Sequence, residues 1–131
     1  MKFMLMMHAP GTGWEKAGVA TWSHDDRMRM VRYMHDLNAD LKKSGVLVGA
    51  EGLVSPEHAK TVRATTARKP SIVDGPFAET KEFLAGYWIV QVDTPDEAYA
   101  IAARASAAPG VGGEPMNIPI EVREVGSAPK S

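Results

Sequence analysis

Residues Gly86 to Val92, read Gly-Tyr-Trp-Ile-Val-Gln-Val, constrain this chain more than any other segment. Their aromatic and β-branched content makes them the strongest strand by propensity. The strand is apolar on both parities: Trp88, Val90 and Val92 fall on one side, Tyr87 and Ile89 on the other. A strand of this kind needs cover on both faces. The short run Phe3–Met7 has the same character.

Two helices are available as cover. In the first, Ser23 is the expected N-cap, Asp25 and Asp26 occupy the first turn, Lys42 and Lys43 the last, and Gly45 supplies the stop. Met30, Val31, Met34, Leu37 and Leu41 recur on one face at helical spacing. The second begins at Thr94-Pro95-Asp96-Glu97, a cap, a first-turn proline and a third-position glutamate, and ends before Pro109. Between them, strands are expected at Val46–Val48 running towards Glu51, at Thr61–Thr66 and, after the Lys69-Pro70 break, at Ile72-Val73. Ile118, Ile120 and Val122 alternate with polar partners as a last strand near a sheet edge. Residues 9–22 and 106–117 are expected as loops, the second mobile, and 126–131 as a frayed tail after one domain over residues 1–125.

This order is close to β-α-β-β-α-β, the ferredoxin-like α+β arrangement, with both helices on one face of an antiparallel sheet. No helix remains for the second apolar face. An isologous homodimer, joined through the helix-free sheet face, is the expected cover, and loops 9–22 and 106–117 are the alternative.

Composition narrows the function. Of 131 residues, 15 are Lys or Arg and 16 are Asp or Glu, so the net charge of −1 lacks the basic field that nucleic-acid binders use. Cys is absent, which excludes disulfides and thiolate chemistry and fits a cytoplasmic setting. No apolar run approaches a membrane span. No Gly-rich strand-to-helix loop or nucleophile elbow occurs, so no nucleotide or other cofactor is expected. His24 and His35 share a flank of the first helix but stand about 16 Å apart along it. With His8 and His58 matching no ligand spacing, no metal is expected.

The segment Val73-Asp74-Gly75-Pro76-Phe77-Ala78-Glu79-Thr80-Lys81-Glu82, followed by Gly86-Tyr87-Trp88, resembles the DGPF subgroup of the YCII-related family. Met1–Leu5, Gly45–Leu53 and Thr61–Arg63 sit where that family has similar segments, so the resemblance covers most of residues 1–105. It implies a dimeric α+β barrel. It implies little about activity, since members are mostly uncharacterised and some lie beside genes for extracytoplasmic-function sigma factors.

Candidate chemistry rests on few residues. Asp74 is either a pocket carboxylate or a turn builder whose side chain accepts neighbouring backbone N–H groups. In the turn reading Gly75-Pro76 sets a sharp bend, the Phe77 ring packs into the core and the loop after it forms one rim of a pocket. Glu51, at a strand end, either faces a cleft or is solvated. Glu79, Thr80 and Lys81 form a pocket rim or a solvated turn, and His8 and Arg63 are possible orienters. Two functions follow: a cofactor-independent enzyme using Asp74, Glu51 or His8 on a small polar organic molecule, or a non-catalytic small-molecule-binding or regulatory dimer linked to sigma-factor signalling. Asp74 and Glu51 meeting in one pocket favours the first, and both pointing elsewhere favours the second.

Overall fold

The computed structural model describes residues 1–10, 21–75 and 82–127. Strands β1 (Lys2–Pro10), β2 (Leu47–Gly52), β5 (Glu82–Gln91) and β6 (Ile120–Glu124) form one antiparallel sheet in the order β2-β5-β1-β6. Helices α1 (His24–Lys43) and α2 (Pro95–Ser106) pack on one face of it. The chain order and sheet order are those of the ferredoxin-like fold, as expected. Among the described residues, strands β3 (Lys60–Arg63) and β4 (Ser71–Asp74) pair only with each other, as a separate hairpin.

Each helix begins where its capping residues dictate. The Ser23 hydroxyl accepts from the Asp26 N–H at 3.1 Å, and the Thr94 hydroxyl accepts from the Glu97 N–H at 3.4 Å. Glu97 also reaches back, its carboxylate accepting from the Asp93 N–H. Helix α1 ends at Ser44, and Gly45 takes the left-handed conformation (φ +80°) that releases the chain into β2. The helices are clamped to each other outside the core: the Tyr33 hydroxyl donates to the Arg104 carbonyl and the Arg104 guanidinium to Asp40.

Beneath the helices, one parity of each strand builds the core. Phe3 and Leu5 of β1 meet Trp88 and Val90 of β5, with Val92 just beyond, against Leu37 and Leu41 of α1 and Ala98, Ala102 and Ala105 of α2. The alanines let α2 sit close to the sheet. The opposite parity carries Met4, Met6, Tyr87 and Ile89, where Met4 faces Ile89 and Met6 faces Tyr87 across the β1–β5 pair. These four are half-buried, and Val48 on β2 is more exposed still. Strand β5 is apolar on both faces, as expected, and the helices cover one of them.

Three expectations change. Strand β1 runs on to Pro10, because all three residues after Met7 keep antiparallel partners on β5 (Leu84, Phe83 and Glu82), so positions 9 and 10 are strand and not loop. The segment expected at Thr61–Thr66 stops at Arg63, where pairing with Ser71 closes the hairpin. Residues 106–117 have defined turn structure in place of the expected mobile loop. Pro109 bridges Pro115, the Gly110 N–H donates to the Glu114 carbonyl, and Ala108 is fully buried. Asp26 ties this turn to α1 by accepting from the Gly112 N–H. Residues 11–20 and the end of the tail, 128–131, lie outside the described residues.

Candidate functional site

On one turn after another, Met30, Met34 and Asn38 project from α1 at intervals of four residues, which places them in line along one helix face. They hang over the part of the sheet where β2 meets β5. The residues below are small: Ala50 pairs with Trp88, and Gly52 with Gly86. A cleft of about 270 Å³ results, closed at one side by Met7 and at its inner end by Trp88. The space exists because side-chain volume is withheld there. A Cβ on Gly86 would stand 3.0 Å from the Glu51 carbonyl oxygen and 3.4 Å from the Gly52 Cα, so glycine lets β2 approach more closely than any side chain would. Ala85, beside it, is the extra residue of a β-bulge opposite the Met7–His8 step.

One polar side chain is fixed in this apolar setting. The Trp88 indole Nε1 donates to Asn38 Oδ1 at 2.7 Å. Trp88 is 5% exposed, and a buried indole N–H needs an acceptor. Asn38 supplies it from the helix. The pair therefore locks helix to sheet at the inner end of the cleft.

The residues singled out in the sequence lie elsewhere. Glu51 borders the cleft through its backbone, but its register partner is Tyr87, so its side chain leaves the strand on the side opposite Trp88. His8 also lies on the helix-free face, where its Nε2 stands 3.1 Å from Glu121 Oε1 on the neighbouring β6. Asp74 ends β4 with its side chain 91% exposed. Its carboxylate accepts from Lys60 Nζ, the residue directly across the hairpin. Gly75 does make the sharp bend. It has φ +90°, donates its N–H to the Ala59 carbonyl and accepts from the Thr61 hydroxyl, both at 2.7 Å. Arg63 closes the other end of the hairpin, exposed, opposite Ser71. Pro76, Phe77, Glu79, Thr80 and Lys81 lie outside the described residues.

Asp74, Glu51, His8 and Arg63 thus do not converge. Among the described residues the cleft is lined instead by side chains such as Met7, Met30, Met34, Asn38 and Trp88, of which the sequence marked the methionines and the tryptophan as strand or core residues and did not mark Asn38. A signal for Asn38 was present: it is a polar residue in register with Met30 and Met34 on the core-facing stripe, in a chain whose buried tryptophan needs an acceptor. Among the described residues no three His, Asp or Glu side chains gather as a metal site.

A family model for the YCII-related domain matches residues 1–114. The chain is also similar to a protein of Rhizobium meliloti (strain 1021) described as uncharacterized, with 31% identity over 88 residues, which is 67% of this chain and 70% of that protein. No helix among the described residues is long and apolar enough to cross a membrane.

Proposed function

This chain belongs to the YCII-related family, and within it we propose a homodimer of the DGPF subgroup that binds a small organic molecule in the cleft between α1 and the sheet without transforming it. One observation carries this reading. Among the described residues the Asp74 carboxylate and the His8 imidazole lie away from the cleft, Glu51 borders it from a position whose side chain leaves the opposite sheet face, and the other walls are methionine, asparagine, tyrosine, tryptophan, alanine and glycine. Proton transfer needs a titratable group within hydrogen-bond reach of the substrate. Binding needs only an apolar concavity with a few fixed polar atoms.

A thermal-shift screen of small organic molecules, run on the wild type and on Met34→Trp, tests the proposal. Indole bulk at position 34 fills the cleft. Hits are expected to stabilise the wild type, to lose that effect in Met34→Trp, and to be recovered unchanged by mass spectrometry. Stoichiometric conversion of a hit would sink the non-catalytic reading.

The dimer rests on the helix-free face. Met4, Met6, Tyr87 and Ile89 form an apolar strip there with no helix over it among the described residues, and self-association through that face would cover the strip in both copies. The motif from Val73 to Glu82 supports the subgroup, and the absence of cysteine is in keeping with a cytoplasmic setting. Light scattering at micromolar concentration is expected to give twice the 14.1 kDa chain mass. Ile89→Asp is expected to return the mass of one chain, because a charge would be buried without a partner.

The enzyme alternative draws on a different place. The His8–Glu121 contact sets an imidazole against a carboxylate on the same helix-free face, so in a dimer of this kind a proton-transfer pair would lie between the two sheets. Turnover that survives Met34→Trp and is lost in His8→Gln would favour that alternative.

A further inference from the structure

The geometry points to a specific class of ligand for the cleft: a small, neutral carbonyl compound with an apolar ring, its oxygen accepting from the side-chain amide of Asn38. The inference rests on the reading of the cleft as a binding site and adds what the site selects.

The orientation of the Asn38 amide is settled by chemistry. The indole N–H of Trp88 can only donate. The Asn38 atom 2.7 Å from it is therefore the carbonyl oxygen, and the Nδ2 amino group is the one left over. That group carries two N–H donors and has no protein acceptor among the described residues. Asn38 lines the cleft, so the cleft offers donors from one fixed point. An acceptor oxygen on the ligand is what complements them.

The remaining walls define the body attached to that oxygen. Met7, Met30 and Met34 are adaptable, polarisable side chains that make favourable contacts with ring edges and faces. Among the described residues no Lys, Arg or His lines the cleft. A carboxylate or phosphate would have to shed its water there without a compensating charge, so the oxygen belongs to a neutral group. The volume of about 270 Å³ is just under the range of roughly 300–1,000 Å³ usual for ligand pockets, which limits the body to one or two small rings.

The test compares 1-indanone with indane, which share a skeleton and differ in the carbonyl. Ligand-observed NMR titration of the wild type is expected to show 1-indanone binding about tenfold tighter, the scale of one well-placed neutral hydrogen bond. Asn38→Asp keeps an acceptor for Trp88 and removes the amide donors, and it is expected to bind both compounds alike. In the ¹⁵N-labelled wild type, the Asn38 Nδ2 protons are expected to move downfield with 1-indanone and not with indane, which tests the donor without any variant. Equal binding of the two compounds to the wild type, abolished in both by Met34→Trp, overturns the donor assignment and leaves the cleft as a binding site. Failure of both compounds to bind overturns the reading of the cleft, and this inference with it.

Discussion

The cleft and the β3–β4 hairpin are opposite solutions to being read. The most recognisable stretch of the sequence, Val73 through Glu82, begins at the end of the hairpin, yet the hairpin is thinly packed: Val62, Ile72 and Val73 are 59%, 62% and 57% exposed. Around the cleft lie methionines, small residues, one asparagine and the Gly86-Tyr87-Trp88 run, and there a Cβ on Gly86 would crowd the β2 backbone at 3.0 Å. Of that conspicuous string, the described residues Val73, Asp74, Gly75 and Glu82 do not line the cleft.

Breaking each region in turn separates them by stability. The largest loss is expected from Leu5→Ala, at the foot of the core and fully buried. Removing its side chain should cost about 2–5 kcal/mol by urea denaturation. Gly86→Val should cost about 1–3 kcal/mol, because β2 must move away from the floor of the cleft, and it should abolish the ligand-induced rise in melting temperature more completely than its own stability loss explains. The smallest effect falls on the hairpin. Asp74→Asn and Asp74→Ala should each cost less than about 1 kcal/mol and behave alike, since the carboxylate is solvated and makes an ion pair with Lys60 across exposed strands. A clear loss in Ala that Asn rescues would instead favour Asp74 as the group that holds the turn.

What the sequence made legible is what is encoded locally. Ser23 and Thr94 announced the helix starts because a cap acts on backbone groups two or three residues away. The double parity of Gly86–Val92 announced a strand with two faces, and the order of elements announced the sheet. The reach of β1 to Pro10 was hidden, because it depends on partners more than seventy positions away on β5. The cleft was hidden for a deeper reason. Ala50, Gly52 and Gly86 make it by what they lack, and small residues at strand positions carry no signature of the helix that spans them. Glu51 and His8 looked plausible because each lies at a strand end. The pleat then assigned both to the face away from α1, and that depends on register, which a bulge of one residue can reverse.

The outer strands of the sheet, β2 and β6, bear on how this chain behaves when crowded. An open strand edge is a template on which further chains can stack into fibrils. Here one edge is interrupted by a register shift between Leu47 and Gly49 and followed by Glu51. The other is only five residues long, enters from Pro119, and carries Glu121, Arg123 and Glu124. Neither offers a long, flat, uncharged row of backbone groups. Growth by adding strands edge to edge is thereby disfavoured.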